Sequence, residues 1–147
     1  MTTLSRAARD AIQDLTADNL WALDTHDIDR YVATYWDDGV WTDFHPDGSV
    51  SRLEGADAIR EGTSAYFAAR GGHQHRMENA VYAPSENGWT ATYYYWSTVR
   101  DAESGAIELQ TTGWISDELE ERGGQWRIRS RTVSQWDGTR SHPLAGA

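Results

Sequence analysis

Two histidines two residues apart, His73 and His75, open the segment with most capacity for chemistry in this chain. An apolar-polar alternation over 73–83 places His73, His75, Met77, Asn79 and Val81 on one face of a strand. Gln74, Arg76 and Glu78 fall on the other, so the histidine face is expected to point inward. Two imidazoles and an amide on an inner face are either satisfied core groups or the wall of a polar cavity. A histidine that moves protons works best when a carboxylate holds its other ring nitrogen. Asp24 is the candidate partner: it ends a helical pattern, where the helix dipole disfavours a negative charge. A metal reading of His73-x-His75 fails on its surroundings. Glu78 faces the wrong way, and His26, His45 and His142 lie in segments before the sheet or in the tail, so no metal is expected.

Composition removes whole classes of mechanism. All 13 basic residues are arginine, so lysine imine chemistry is excluded, and with no cysteine there is no thiol catalysis, disulfide or iron–sulfur ligation. No glycine-rich phosphate loop, dinucleotide fingerprint or nucleophile elbow is present, and no nucleotide cofactor is expected. A net charge of -10 opposes nucleic-acid and anionic-lipid partners. No apolar run reaches the roughly 20 residues of a membrane helix, and the N-terminus lacks a signal-peptide core, so a cytoplasmic protein is expected. Eight Trp and seven Tyr against two Phe favour side chains that suit pockets and interfaces.

The elements that must position these groups follow from periodicity. Leu4, Ala8, Ala11, Ile12, Leu15, Ala22 and Leu23 predict a helix ending near Asp24–Thr25, with Asn19 an odd polar residue in its apolar stripe. Ile28, Tyr31, Val32, Tyr35 and Trp36 predict a second helix, capped by Asp27 or Thr25 and stopped at Asp37-Asp38-Gly39. A short strand at Val40–Phe44, a turn at His45–Gly48 and a third helix over Gly55–Ala69 follow. From residue 73 the period is two: strands at 73–83, 89–99, 107–119 and 125–136. The stripe Arg127, Arg129 and Arg131 is expected to face outward and pair with acids such as Glu108 and Glu118. Acids at Asp37, Asp38, Asp101, Glu103, Glu120 and Glu121 read as solvated turn residues. The chain reads as one α+β domain over 1–147, with its core at about 7–137 and a loose tail from 138.

Three stretches in this order resemble the SnoaL-like branch of the nuclear transport factor 2-like superfamily. They are WALDTHDIDRYVATYWDDGVW, HRMEN at His75–Asn79, and GWISDELEERGGQWRIRSRTV. The resemblance implies a cone-shaped barrel, a curved mixed or antiparallel sheet wrapped around N-terminal helices, enclosing one deep apolar pocket. It implies cofactor-independent acid–base catalysis (cyclase, dehydratase or isomerase) on a hydrophobic, polyketide-like small molecule. By that likeness Asp24 and His75 take the places of a dehydratase Asp–His dyad. Asn79 and Tyr95 would donate to the developing oxyanion, and Trp21, Trp41 and Tyr66, with His73, would line the substrate site. Asn19 stands where such dehydratases often carry a tyrosine. The alternatives are a non-catalytic ligand-binding protein of the same fold, or the small subunit of a ring-hydroxylating dioxygenase. A homodimer is expected, through an outer sheet face carrying Trp114 and Tyr94 or Trp96.

Overall fold

A computed structural model describes residues 3–69 and 71–138; the tail expected from 138 onward, His142 included, lies beyond Gly138 outside the described residues. Ser5 caps the first helix by accepting from the Ala8 amide at 3.1 Å, and α1 runs Arg6–Asp24. Its end turns at His26, which holds a left-handed φ of 59° and stacks on Phe67 at 4.4 Å. Asp27 caps α2 (Ile28–Ala33) by accepting from the Arg30 amide. Strands β1 (Tyr35–Phe44) and β2 (Val50–Glu54) form a hairpin, α3 (Ala56–Ala69) crosses back, and four strands follow. These are β3 (His73–Pro84), β4 (Gly88–Arg100), β5 (Ile107–Arg122) and β6 (Gln125–Gln135).

The strands make one curved, unclosed mixed sheet in the order β2-β1-β6-β5-β4-β3, parallel only between β1 and β6. The α+β class read from the sequence, and the curved mixed sheet on N-terminal helices that the resemblance implies, are therefore the observed architecture. The helices cover its inner face, where Ile12, Ala22, Ile59, Leu119 and Ile128 are buried. Inward-facing residues form rungs across the sheet. One rung joins Trp41, Arg131, Asp117, Ala91 and Tyr82; the next joins Asp43, Val133, Ile115 and Tyr93. A third joins Gln135, Gly113, Tyr95 and Met77, and the last joins Thr111, Ser97 and His75.

The structure corrects several expectations. The second helix stops at Ala33, and Tyr35 and Trp36 open β1; the apolar spacing of Tyr31 and Tyr35 reflects a ring contact at 5.5 Å instead. No sequence signal marks β2, because four of its five residues are exposed and no alternation shows. A bulge between Glu78 and Val81, with Asn79 at φ 57°, reverses the facing of β3. Beyond it Ala80 and Tyr82 pack on the core, while Asn79 and Val81 are exposed. An extra residue at Arg129, opposite Glu118 and Leu119, likewise turns Arg131 inward. It pairs with Asp117, not with Glu108 or Glu118. Asp38 and Glu120 lie on strands and pair with Arg122. On the outer face Trp114 is buried, Trp96 half-buried, and Tyr94 exposed.

Candidate active site

Asp24 is the last residue of α1, which carries its carboxylate to the first turn-in of β3. The helix end is locked there by Thr25, whose hydroxyl donates to the Trp21 carbonyl at 2.7 Å. The carboxylate accepts the His75 backbone N–H at 3.1 Å to each oxygen, and His75 Nδ1 at 2.6 Å. Three contacts to one side chain fix both strand and imidazole. An ionised carboxylate only accepts, so this geometry places a proton on Nδ1 and leaves Nε2 with its lone pair. Nε2 lies 3.4 Å from the Tyr66 hydroxyl on α3. The dipole cost of Asp24 at a helix C-terminus is thus offset by strong local hydrogen bonding.

Tyr95 lies parallel to His75, with ring centroids 6.2 Å apart at 9°. Burial raises its phenol well above the ordinary tyrosine value, with a Ser97 hydrogen bond acting in opposition, so it stays a protonated donor at neutral pH. His73 is buried behind this group, its ring 5.9 Å from His75 and 5.5 Å from Tyr66.

His75, Tyr66, Tyr95 and Trp41 line a cavity of about 430 Å³ between the helices and the sheet, within the range of small-molecule sites. Leu20, Leu23, Leu53, Ile115 and Val133 supply its apolar wall. Two expected binding residues lie elsewhere. Trp21 is 65% exposed, because it sits one position past Leu20 and 100° further round α1. Asn79 is turned out at the β3 bulge and does not line the cavity. His73 backs the site without lining it.

Several lining groups were not anticipated. Asp43 follows Trp41 by two on the same strand face, so alternation carried the signal. Its Oδ2 accepts from the Gln135 amide at 2.8 Å, and that amide lies 3.1 Å from His45 Nδ1. Gln110 reaches the cavity only because β5 holds an extra residue between Leu109 and Thr111, which no pattern shows. Arg131 lines it for the similar reason given above. Among the described residues no group of three His, Cys, Asp or Glu could hold a metal ion. None of their helices is long and apolar enough to cross a membrane.

Comparison with known proteins agrees with this architecture. Aln2 from a Streptomyces species is 23% identical, with a TM-score of 0.77 over 91% of this chain and 94% of its own. ActVI-ORFA from Streptomyces coelicolor is 19% identical, with a TM-score of 0.75 over 86% and 96%. A Novosphingobium aromaticivorans chain assigned as the beta subunit of an aromatic-ring-hydroxylating dioxygenase is 19% identical, with a TM-score of 0.79 over 97% of both. At these identities the likeness shows fold alone. No curated protein matches the sequence. The profile of the SnoaL-like domain matches residues 5–132, and the chain belongs to that family.

Proposed function

We propose that this protein is a cofactor-independent acid–base enzyme acting on a hydrophobic, oxygenated, polyketide-like molecule. The observation that carries the reading is the 2.6 Å contact between Asp24 and His75 Nδ1. It leaves Nε2 as a base on the wall of a mostly apolar cavity. In the reaction we propose, Nε2 takes a proton from the carbon next to a substrate carbonyl. The C–H electron pair moves into the enolate, whose oxygen accepts a hydrogen bond from the Tyr95 phenol. The imidazolium, held by Asp24, then returns its proton. Delivered to a β-hydroxyl leaving group, that proton gives dehydration; delivered to another carbon, isomerisation. Attack of the enolate carbon on a second carbonyl, whose oxygen takes the imidazolium's proton as its π bond breaks, gives ring closure. Trp41 and Tyr66 would hold the substrate against this group. We propose also that two copies associate through the outer sheet face beside Tyr94 and Trp96.

The test needs no knowledge of the natural substrate. Hydrogen–deuterium exchange at the α-carbon of 2-tetralone, followed by NMR, reads the first step alone. Wild type is expected to exceed the buffer rate, and His75→Ala to lose about 10²- to 10⁴-fold of that excess. A protein that binds the ketone without accelerating exchange would be a ligand carrier. Co-purification with a large iron-containing subunit would instead favour the dioxygenase-subunit reading.

A further inference from the structure

The cavity wall carries a buried cation for which the proposed reaction has no use. Arg131 is 2% exposed and Asp117 is fully buried. Arg131 Nε and Nη2 donate to the two Asp117 oxygens at 2.7 and 2.8 Å. Its Nη1 donates to Asn19 Oδ1 at 2.6 Å, and Asn19 Nδ2 donates to the Thr34 hydroxyl at 2.7 Å. Asn19, the polar residue out of place in the apolar stripe of α1, is fully buried for this contact. A guanidinium has five N–H bonds, and three are used here. The other two meet no acceptor among the described residues, and the residue lines the cavity beside Tyr31 and Trp41.

A buried ion pair stabilises a fold little better than an apolar pair of similar size, and often less well. Burial opposes the charge on Arg131, but the Asp117 charge and hydrogen bond outweigh it, so the group stays a cation. A permanently charged donor is therefore held rigidly at a cavity surface by Asp117 and Asn19. Asp117 already neutralises the cation, and Asp43 lies one rung along the sheet, so a second full negative charge is disfavoured there. A neutral carbonyl or hydroxyl oxygen suits the two remaining N–H bonds.

We propose that Arg131 is a second substrate-binding point, which takes a neutral carbonyl or hydroxyl oxygen through its two unused N–H bonds. It lies three rungs along the strands and three strands across from His75. A ligand that meets both groups thus carries oxygen functions on well-separated ring positions: a polyoxygenated, multi-ring, uncharged molecule. This rests on the proposed function only in taking the cavity as the substrate site.

Equilibrium dialysis with 9-fluorenone and fluorene, which differ by one carbonyl, tests it. Wild type should prefer fluorenone by about tenfold or more, as expected for a hydrogen bond to a charged group. In R131M/D117L, which replaces the ion pair by apolar side chains, the preference should fall to near one while fluorene still binds. His75→Ala should keep it. Retention of the preference in the double variant, its loss in His75→Ala, or no preference in wild type would each overturn the proposal. Should the double variant fail to fold, NMR of wild type decides. The Arg131 guanidinium resonances should shift with fluorenone and not with fluorene, and equal responses refute the assignment. Failure of the exchange reaction with the Arg131 result intact would remove the catalytic reading and leave the binding point.

Discussion

Replacing Asp24 by Asn removes one charge and almost no volume, and its consequences can be worked through from the geometry. The carboxylate accepts two donors, the His75 backbone N–H and Nδ1–H. An asparagine has one acceptor oxygen and one donor amide. If the oxygen keeps the backbone N–H, the amide faces Nδ1, which must then accept. The ring proton moves to Nε2, and the lone pair on the cavity side is lost. The base survives only in the minority of molecules that hold the other arrangement, so exchange on 2-tetralone should fall by about 10²- to 10⁴-fold. A charge-assisted hydrogen bond is worth about 1.5–3 kcal/mol. The Asp24 side chain is 19% exposed, so solvent discounts that to about 1–2 kcal/mol. The melting temperature should therefore drop by only about 3–8 °C. The assay is the NMR exchange rate beside a calorimetric melt. A folded variant within threefold of wild type would refute the argument that Asp24 sets the His75 tautomer.

Other expectations follow from packing and charge. Trp41→Ala should weaken fluorene binding by about 10-fold or more, because Trp41 walls the cavity, whereas exposed Trp21→Ala should change neither binding nor melting; dialysis of both variants compares them. Burial raises the phenols of Tyr35, Tyr93 and Tyr95 above the ordinary value near 10. The folded state holds these protons where the unfolded state releases them. Stability should be intact below about pH 10 and fall as pH rises above it, as read by chemical denaturation at stepped pH. A Cβ at Gly113 would lie 2.0 Å from the Ser134 carbonyl oxygen, so Gly113→Ala should spread β5 from β6 and cost about 3 kcal/mol or more by urea titration.

What the sequence showed and hid has local causes. Helix periodicity exposed α1 and α3, which bury one face, and alternation exposed β3 to β6, where it persists on either side of each bulge. Asp24 and His75 were legible as chemical types, yet their contact depends on how α1 meets β3, which only the fold decides. Each misassigned facing near the cavity lies at or just past a bulge. Alternation assigns Asn79 to the pocket and Arg131 to solvent, and a single extra residue in β3 and in β6 exchanges those fates. Curved sheets are built from such bulges, so the residues nearest the cavity are the ones whose facing is hardest to read. Asn19 did leave a mark as a polar break in an apolar stripe; its partner lies 112 residues away.

The proposed proton transfer requires that Asp24 hold His75 with its proton on Nδ1 and a bare Nε2 facing the cavity. Long-range ¹H–¹⁵N correlation of the histidine rings at neutral pH, with His75 assigned by comparison with His75→Ala, measures this directly. Neutral His75 is expected as the Nδ1–H tautomer with an unprotonated Nε2. A proton found on Nε2 with Nδ1 bare would contradict it.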